Sequence, residues 1–290
     1  MFLSMNPVVP ALPALNRPAG VPRQVCVRRA WNVESGAFNN IAEISHLRSH
    51  TQNHLLKIAS LGIADLKAVD AQKLEIAIPD AAPVSALLIR PARARAAYVF
   101  AHGAGAGMTH ASMQAIAAGL GERGIATLRY QFPYMESGSK RPDSPAVAHL
   151  AVRAAVTEAG RCCDGLPLVA GGKSFGGRMT SQAQALSPLP GVRGLAFLGF
   201  PLHPAGKPSS DRAKHLADIR IPMLFLQGTR DALAELSLLE PVVKGLGRLA
   251  TLHLVDEADH SFHVLKRSGR NDREVMDEVL DSFAAWVDGL

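Results

Sequence analysis

The chain has 290 residues, of which 48% are hydrophobic, 19% charged and 5% aromatic, and its formal net charge is +6. This length and composition predict a globular protein with a sizeable buried core, and they exclude a disordered chain and a coiled coil. Residues 1–60 carry +4 of the charge, and a basic excess outside the main domain, with few aromatic residues, argues against nucleic-acid binding.

The cysteine pattern and the hydropathy restrict the cellular setting. Cys26 is isolated and Cys162 and Cys163 are adjacent, so these residues predict neither a disulfide framework nor a zinc site, and they suit the cytoplasm. No apolar run reaches the ~18 residues of a membrane span, so none is predicted. The N-terminal region lacks the basic segment of a secretory signal.

The first 71 residues differ in pattern from the rest of the chain. Residues 1–38 are proline-rich and lack a sustained period, which predicts a disordered tail. Residues 39–71 carry apolar residues at helical spacing and are a possible helical extension. In that segment His46, His50 and His54 share one helical face, but no carboxylate or cysteine completes a metal site, so we interpret them as a solvated polar stripe.

From residue 72 onward, short apolar runs alternate with amphipathic stretches. Strands are predicted at Leu74–Ile78, Val84–Ile89, Ala97–Ala101, Ile125–Tyr130, Leu168–Gly171, Gly194–Phe200, Met223–Leu226 and Thr251–Val255. Helices are predicted at about 111–122, 145–160, 175–186, 234–245 and 272–288. Strands that are apolar throughout are typical of a parallel sheet buried on both faces. Residues 72–290 therefore predict a doubly wound, mostly parallel α/β sheet with helices on both faces.

The segment Gly172-Lys173-Ser174-Phe175-Gly176 has the pattern G-x-S-x-G between a buried strand and a helix. In this context the serine occupies a sharp, strained turn that exposes its hydroxyl, and the small flanking residues let strand and helix approach closely. The following helix N-terminus directs backbone N–H groups toward a developing oxyanion. Ser174 is therefore the candidate nucleophile.

Two phosphate-binding patterns compete for the glycines of this chain. Gly172-Lys173-Ser174 matches the end of a P-loop, but Pro167 stands where that motif needs its first glycine. The run Gly103–Gly107 approaches a dinucleotide fingerprint, but Met108 stands where glycine or alanine is needed. Arg129, not an acidic residue, ends the next strand, so a nicotinamide enzyme is a minor alternative.

The same glycine-rich run suits a serine hydrolase better. His102 and Gly103 end a buried strand, and the loop that follows lacks bulky side chains. This loop supplies one oxyanion donor in a serine hydrolase, and the residue after the nucleophile supplies the other. We assign the oxyanion hole to the backbone N–H groups of Ala104 and Phe175, and we expect His102 to hold the loop by hydrogen bonds.

The acid and the histidine of a triad follow the nucleophile in chain order in this topology. Asp231 comes after a late strand and a glycine turn, whereas Glu235 and Glu240 fall in the next helical pattern. His260 is the first histidine in the loop after the last strand. His263 begins the next segment, where we expect it to pack or to form hydrogen bonds. Asp231 and His260 are therefore the candidate acid and base.

A family resemblance rests on several segments taken together. These are Ala101–Gly105, Leu128–Tyr134, Gly171–Arg178, Phe200–Pro204, Gln227–Asp231 and Asp259–Phe262. They resemble the α/β-hydrolase superfamily, dienelactone-hydrolase-like, and more narrowly bacterial relatives of testis-expressed protein 30 and of subunit 3 of the NSL acetyltransferase complex. The resemblance implies an α/β-hydrolase fold and a hydrolytic triad. Dienelactone hydrolases carry a cysteine nucleophile, so their lactone specificity does not transfer to Ser174.

The expected function is hydrolysis of a carboxylic ester or thioester of a small-molecule acyl substrate, through an acyl-enzyme and without a metal or organic cofactor. The eukaryotic relatives act partly as subunits of complexes, which makes a non-catalytic interaction module the alternative. The segment Pro201–Arg220 is long for a connection and predicts a lid. A basic mouth for anionic substrates is also predicted, unless its charges pair on the surface with Asp143, Asp211 and Glu136. Its cations are Arg129, Lys140, Arg141, Lys173, Arg178, Lys207, Arg212, Lys214 and Arg220.

Overall fold

The structure is a computed structural model that describes residues 71–79 and 81–290. The predictions of a tail at 1–38 and of a helical extension with three histidines fall on residues outside this range, apart from position 71. Within the described residues, no helix combines the length and the apolar character needed to cross a membrane.

Eight strands form one sheet. They are β1 Gln72–Ile76, β2 Val84–Ile89, β3 Ala96–Ala101, β4 Ile125–Tyr130, β5 Leu168–Lys173, β6 Val192–Leu198, β7 Met223–Gly228 and β8 Ala250–Val255. The spatial order is β1-β2-β4-β3-β5-β6-β7-β8, and β2 runs antiparallel to both of its neighbours while the other pairs are parallel. The doubly wound, mostly parallel sheet predicted from the sequence is confirmed, with strand ends that differ by one or two residues.

Helices cover both faces of this sheet. They are α1 Ala111–Glu122, α2 Pro133–Glu136, α3 Pro145–Cys162, α4 Phe175–Leu186, α5 Leu236–Gly245 and α6 Asp272–Val287. Side chains of α1 and α6 belong to the core on one face, and those of α3, α4 and α5 belong to the core on the other. Strands β3, β4 and β7 are buried along their whole length because both of their faces are covered.

Local sequence signals explain several element boundaries. Asn271 caps α6 through a capping box, in which its side chain accepts the Glu274 N–H while the Glu274 carboxylate accepts the Asn271 N–H. Pro145 stands in the first turn of α3, where its missing N–H costs no helical hydrogen bond. The short helix α2 was not predicted, because four residues are too few to show a helical period.

The parallel strands bring four loops to one edge of the sheet. The residues after β3, β5, β7 and β8 all lie at the carboxyl ends of parallel strands, which is where open α/β sheets bind ligands. His102, Ser174, Asp231 and His260 follow these strands in that order. Residues as distant in sequence as Ser174 and His260 therefore meet at this edge.

Candidate active site

Ser174 stands between β5 and α4 in a strained backbone conformation. Its φ is 50° and its ψ is −115°, outside the regions that residues with a side chain normally occupy. Its N–H donates to the Leu198 carbonyl at 3.2 Å, and its carbonyl accepts the Arg178 N–H at 3.2 Å. These bonds help to hold the turn in its unfavourable conformation, which is typical of a functional site.

The glycines two positions before and after Ser174 fit a close contact between strands and helix. A Cβ at Gly172 would lie 2.4 Å from the Ala101 carbonyl oxygen. A Cβ at Gly176 would lie 2.6 Å from the carbonyl oxygens of Ala101 and His102. Neither position has room for a side chain, so the structure bears out the steric reason given for the spacing of the motif.

A chain of hydrogen bonds links the three candidate triad residues. The His260 ring lies with Nδ1 2.7 Å from Asp231 Oδ2 and Nε2 2.9 Å from Ser174 Oγ. A carboxylate only accepts hydrogen bonds, so Nδ1 carries the proton and Nε2 is free to accept the Ser174 hydroxyl proton. This is the tautomer that a general base for Ser174 requires.

The Asp231 carboxylate is fully buried and its orientation is fixed by several donors. Oδ1 accepts the Leu233 N–H at 2.8 Å, and Oδ2 accepts both the His260 ring and the Gln227 side-chain amide. The Gln227 carbonyl oxygen in turn accepts the Phe200 N–H at 2.8 Å. Sequence analysis missed the role of Gln227, although a polar residue at the end of an otherwise apolar strand was a signal for it.

The weaker alternatives for acid and base lie elsewhere. Glu235 and Glu240 are exposed. His263 is exposed and pairs with Asp272, whose carboxylate lies 2.8 Å from Nδ1 and raises the pKa of His263. His263 thus forms a hydrogen bond in the segment before α6, as predicted.

The His260 loop is stabilised from within by one carboxylate. Asp259 Oδ1 accepts the N–H groups of Ser261 at 2.7 Å and of His263 at 3.0 Å. Phe262 has a φ of 64°, so the loop turns sharply two residues after His260. These contacts fix the backbone on which the candidate base is carried.

The two predicted oxyanion donors have free N–H groups. Across the described residues, neither the Ala104 nor the Phe175 N–H donates to a protein acceptor. Phe175 is the first residue of α4, where N–H groups lack intrahelical partners. The Ala104 loop passes close to the nucleophile, since a Cβ at Gly103 would lie 3.8 Å from Ser174 Cβ. Both donors are therefore available for a ligand.

Buried polar side chains hold the loop that carries Ala104. His102 Nε2 accepts the Phe132 N–H at 3.0 Å, so Nδ1 carries the proton and donates to the Gly103 carbonyl at 2.7 Å. Burial lowers the pKa of His102, which favours this neutral form. The Tyr134 hydroxyl donates to the Ala104 carbonyl at 2.8 Å. His102 thus has the supporting role predicted for it.

The far end of the same loop is held by two polar side chains at the end of β4. Gln131 accepts the Met108 N–H at 2.8 Å, and Arg129 donates to the Met108 carbonyl at 3.1 Å. Sequence analysis used Gln131 only for the family resemblance, and it considered Arg129 for a dinucleotide site and a basic mouth instead of this contact. Their polar character at the end of a buried strand was the available signal.

The predicted basic mouth needs correction. Arg129 is 2% exposed, and Lys173 donates to the His260 carbonyl, so neither cation stands free at an opening. Within the described part of the chain, six cations of the predicted mouth form no ion pair: Lys140, Arg141, Arg178, Lys207, Arg212 and Arg220. The guanidinium of Arg178 lies 5.9 Å from the centre of the ring of Phe175, the residue whose backbone N–H is a candidate oxyanion donor.

The segment predicted as a lid contains a 3₁₀ helix at Asp211–Asp218. Ala213 and Leu216 of this helix are buried in the core on the α4 face of the sheet. His215 Nε2 lies 2.8 Å from the hydroxyl of Ser181, in the middle of α4. The segment therefore packs along α4 and brings a second serine–histidine pair together.

Comparison with known proteins agrees with this architecture. Residues 94–288 match the α/β hydrolase domain family. The chain belongs to this family. A dienelactone hydrolase from Anabaena variabilis superposes on this α/β hydrolase with a TM-score of 0.61 at 18% identity, over 75% of this chain and 96% of that one.

Two further solved structures share the fold. An α/β serine hydrolase homologue from Coxiella burnetii has a TM-score of 0.60 at 18% identity, over 73% of this chain and 96% of that one. An α/β serine hydrolase without a lid from Xanthomonas campestris has a TM-score of 0.59 at 18% identity, over 75% of this chain and 95% of that one. At such identities, the likeness establishes the fold of this α/β hydrolase and not its substrate.

Proposed function

We propose that this α/β hydrolase cleaves carboxylic esters or thioesters through a covalent acyl-enzyme. The observation that carries the proposal is the hydrogen-bonded series Asp231–His260–Ser174, with the serine on a strained turn and two free N–H groups beside it. The names of the solved relatives, which include a serine hydrolase and an esterase domain, support the same class of reaction.

In the first half of the reaction Ser174 Oγ attacks the acyl carbon and His260 Nε2 takes the hydroxyl proton. Asp231 keeps the proton on Nδ1 and stabilises the imidazolium that forms. The N–H groups of Ala104 and Phe175 bind the negative charge that develops on the acyl oxygen. The bond to the leaving alcohol or thiol then breaks, and the leaving group takes the proton from His260.

In the second half, water attacks the acyl carbon of the ester formed on Ser174. His260 Nε2 takes a proton from this water and returns it to Ser174 Oγ when the acyl–oxygen bond breaks. The carboxylic acid leaves and the free enzyme is regenerated. These steps use only groups already in the site and require no metal or organic cofactor.

A panel of p-nitrophenyl esters and acyl-CoA thioesters of graded chain length tests this function. The purified protein should hydrolyse at least one member, and Ser174→Ala should not. Absence of turnover across the panel, together with absence of labelling by a fluorophosphonate probe, would favour the non-catalytic interaction module.

Two finer assignments accompany this proposal. The closer kinship with testis-expressed protein 30 and NSL subunit 3 rests on the sequence segments given above, and a sequence alignment built on those segments would test it. A cytoplasmic location rests on the cysteine pattern, and cell fractionation would test it.

A further inference from the structure

Lys173 connects the nucleophile turn to the histidine loop. It is the last residue of β5, directly before Ser174, and its ammonium group donates to the backbone carbonyl of His260. The same ammonium lies 5.1 Å from the centre of the Phe262 ring, within the range of a cation–π contact. One side chain of the nucleophile motif thus contacts the loop that carries the candidate base.

The end of β6 leaves the space for this contact. A Cβ at Gly199 would lie 2.9 Å from the Lys173 ammonium nitrogen and 3.3 Å from Cε1 and Nδ1 of the His260 ring. Gly199 has a φ of +69°, a conformation that favours glycine. The Lys173 ammonium and the His260 ring therefore both pack against Gly199.

The charges around the ammonium are mainly acidic. Asp231 and Asp259 raise the pKa of Lys173, but burial has the larger effect and lowers it to about 8. The Lys173 amine is thus mostly protonated at neutral pH. The resulting ammonium forms a stronger hydrogen bond to the carbonyl than a neutral amine would. The His260 carbonyl and the Phe262 ring are the other groups it faces.

The histidine loop needs such a contact because its backbone is sharply turned. Glu257 and Phe262 both have positive φ values, of 56° and 64°. Asp259 stabilises the loop through hydrogen bonds within the loop itself. Lys173 instead contacts the loop from β5, 87 positions before His260 in the sequence. Among the described residues, this is the one hydrogen bond that joins the nucleophile turn to the backbone of His260.

We infer that Lys173 is a positioning residue, which holds the His260 backbone so that the imidazole spans Asp231 and Ser174. This inference rests on the proposed function and assigns a role to the variable position before the serine of the G-x-S-x-G motif. Lys173 does not exchange protons with the substrate. Its effect reaches the reaction only through the placement of His260.

The first test is Lys173→Met, which keeps an unbranched stem but removes the donor and the charge. Misplacing a catalytic group by about 1 Å costs about 100-fold in rate, so we expect kcat to fall 10- to 100-fold with KM within about twofold. Tm should change by only a few degrees, because removal of a largely buried charge is offset by the loss of a hydrogen bond to the His260 carbonyl. Lys214→Met is the matched control, since Lys214 is exposed and its ion-pair partner among the described residues is the exposed Asp211.

Chemical rescue separates positioning from general damage. Lys173→Cys treated with 2-bromoethylamine gains an aminoethyl group when the thiolate displaces bromide, which restores an ammonium at the original length. This treatment should restore most of kcat, whereas untreated Lys173→Cys and treated Lys173→Met should stay slow. The wild-type kcat should also decline above pH 8 as the ammonium loses its proton, and Lys173→Met should lack this decline.

A spectroscopic readout keeps the test independent of turnover. The His260 Nδ1 proton, bonded to Asp231, should give a low-field proton resonance in the wild type and in Lys214→Met. In Lys173→Met this resonance should shift or broaden through exchange. If the resonance and kcat are both unchanged, or if Lys173→Met does not fold, the positioning role is wrong. A wild type with the resonance but no ester turnover would contradict the proposed function alone.

Discussion

Helix α4 is associated with two serine–histidine hydrogen bonds of nearly equal length. The Ser174–His260 pair, directly before the first turn of the helix, has an O–N distance of 2.9 Å. The Ser181–His215 pair, two turns further along, has a distance of 2.8 Å. Distance therefore does not distinguish a candidate nucleophile from a structural serine, and the surroundings of each pair must do so.

The two pairs differ in which residue donates the hydrogen bond, the serine or the histidine. The Ser181 hydroxyl donates to the Arg178 carbonyl at 2.9 Å, so His215 Nε2 must donate to the Ser181 oxygen. His260 Nε2 accepts instead, because its Nδ1–H is bonded to the buried Asp231 carboxylate. A histidine that already donates to a serine has no lone pair with which to remove that serine's proton.

The backbone differs as well. Ser181 lies inside α4, where its N–H belongs to regular helix, and its side chain is buried. Ser174 lies on the strained turn before α4, beside two N–H groups without acceptors. The carboxylate partner and the free donors therefore distinguish the candidate active site, whereas a serine–histidine contact alone does not.

The largest expected difference is between the two serines. Ser174→Ala should lower kcat by roughly 10⁴- to 10⁶-fold, because the nucleophile is lost. Ser181→Ala should leave kcat/KM within about threefold and lower the free energy of unfolding by about 1 kcal/mol, since His215 loses an acceptor. Ester hydrolysis and thermal unfolding of both variants measure these effects. Activity of Ser174→Ala above a tenth of wild type would sink the assignment.

The acid provides the next largest effect. In Asp231→Asn the amide would donate to Nδ1 and favour the wrong tautomer of His260, so kcat should fall by about 10⁴-fold. Glu235→Gln is the matched control, because Glu235 is exposed and lies near Asp231 in sequence. Single-turnover assays with a large excess of enzyme over ester would quantify the residual rate. If Glu235→Gln lost activity and Asp231→Asn kept it, the acid would be misassigned.

The second histidine should affect stability instead of rate. Burial lowers the pKa of His215 from 6.5 to about 4, and the positive charge of Arg178 contributes to this shift. Between these two pH values the unfolded chain binds a proton that the folded protein does not, so stability should fall as pH decreases through this window.

His215→Gln keeps a side-chain N–H for Ser181 and removes the titration. Its Tm should therefore decrease less steeply than that of the wild type between pH 6.5 and pH 4. Calorimetry at several pH values provides the measurement. Parallel curves for the two proteins would show that His215 has an ordinary pKa in the folded state.

The smallest expected effect concerns substrate charge. A free Arg178 next to the Phe175 ring should favour a succinyl over a butyryl ester by about fivefold or less at low salt. The preference should vanish near 0.5 M salt, where the Debye length is only ~4 Å. Arg178→Gln should abolish the preference, whereas Lys214→Gln should keep it. Equal rates for both esters at low salt would exclude the basic mouth altogether.

The regular parts of the fold and the supporting role of His102 were predictable from the sequence. Apolar strands and glycine turns are local signals, and the chain order of Ser174, Asp231 and His260 follows from the topology. The polar character of Lys173, Gln227 and Arg129 at or near strand ends was a signal for a supporting role. Their individual partners were not predictable, because these depend on which loops meet at the edge of the sheet. The sequence predicted that Arg129 and Lys173 lie at the opening of the site. In the structure Arg129 is buried and Lys173 contacts the histidine loop.

Mapping a covalent adduct tests the central claim most directly. The wild-type protein would be treated with a fluorophosphonate, digested and analysed by mass spectrometry, beside Ser174→Ala and Ser181→Ala. We expect one adduct on Ser174 in the wild type and in Ser181→Ala, and none in Ser174→Ala. An adduct on Ser181, or none on the folded wild-type protein, would contradict it.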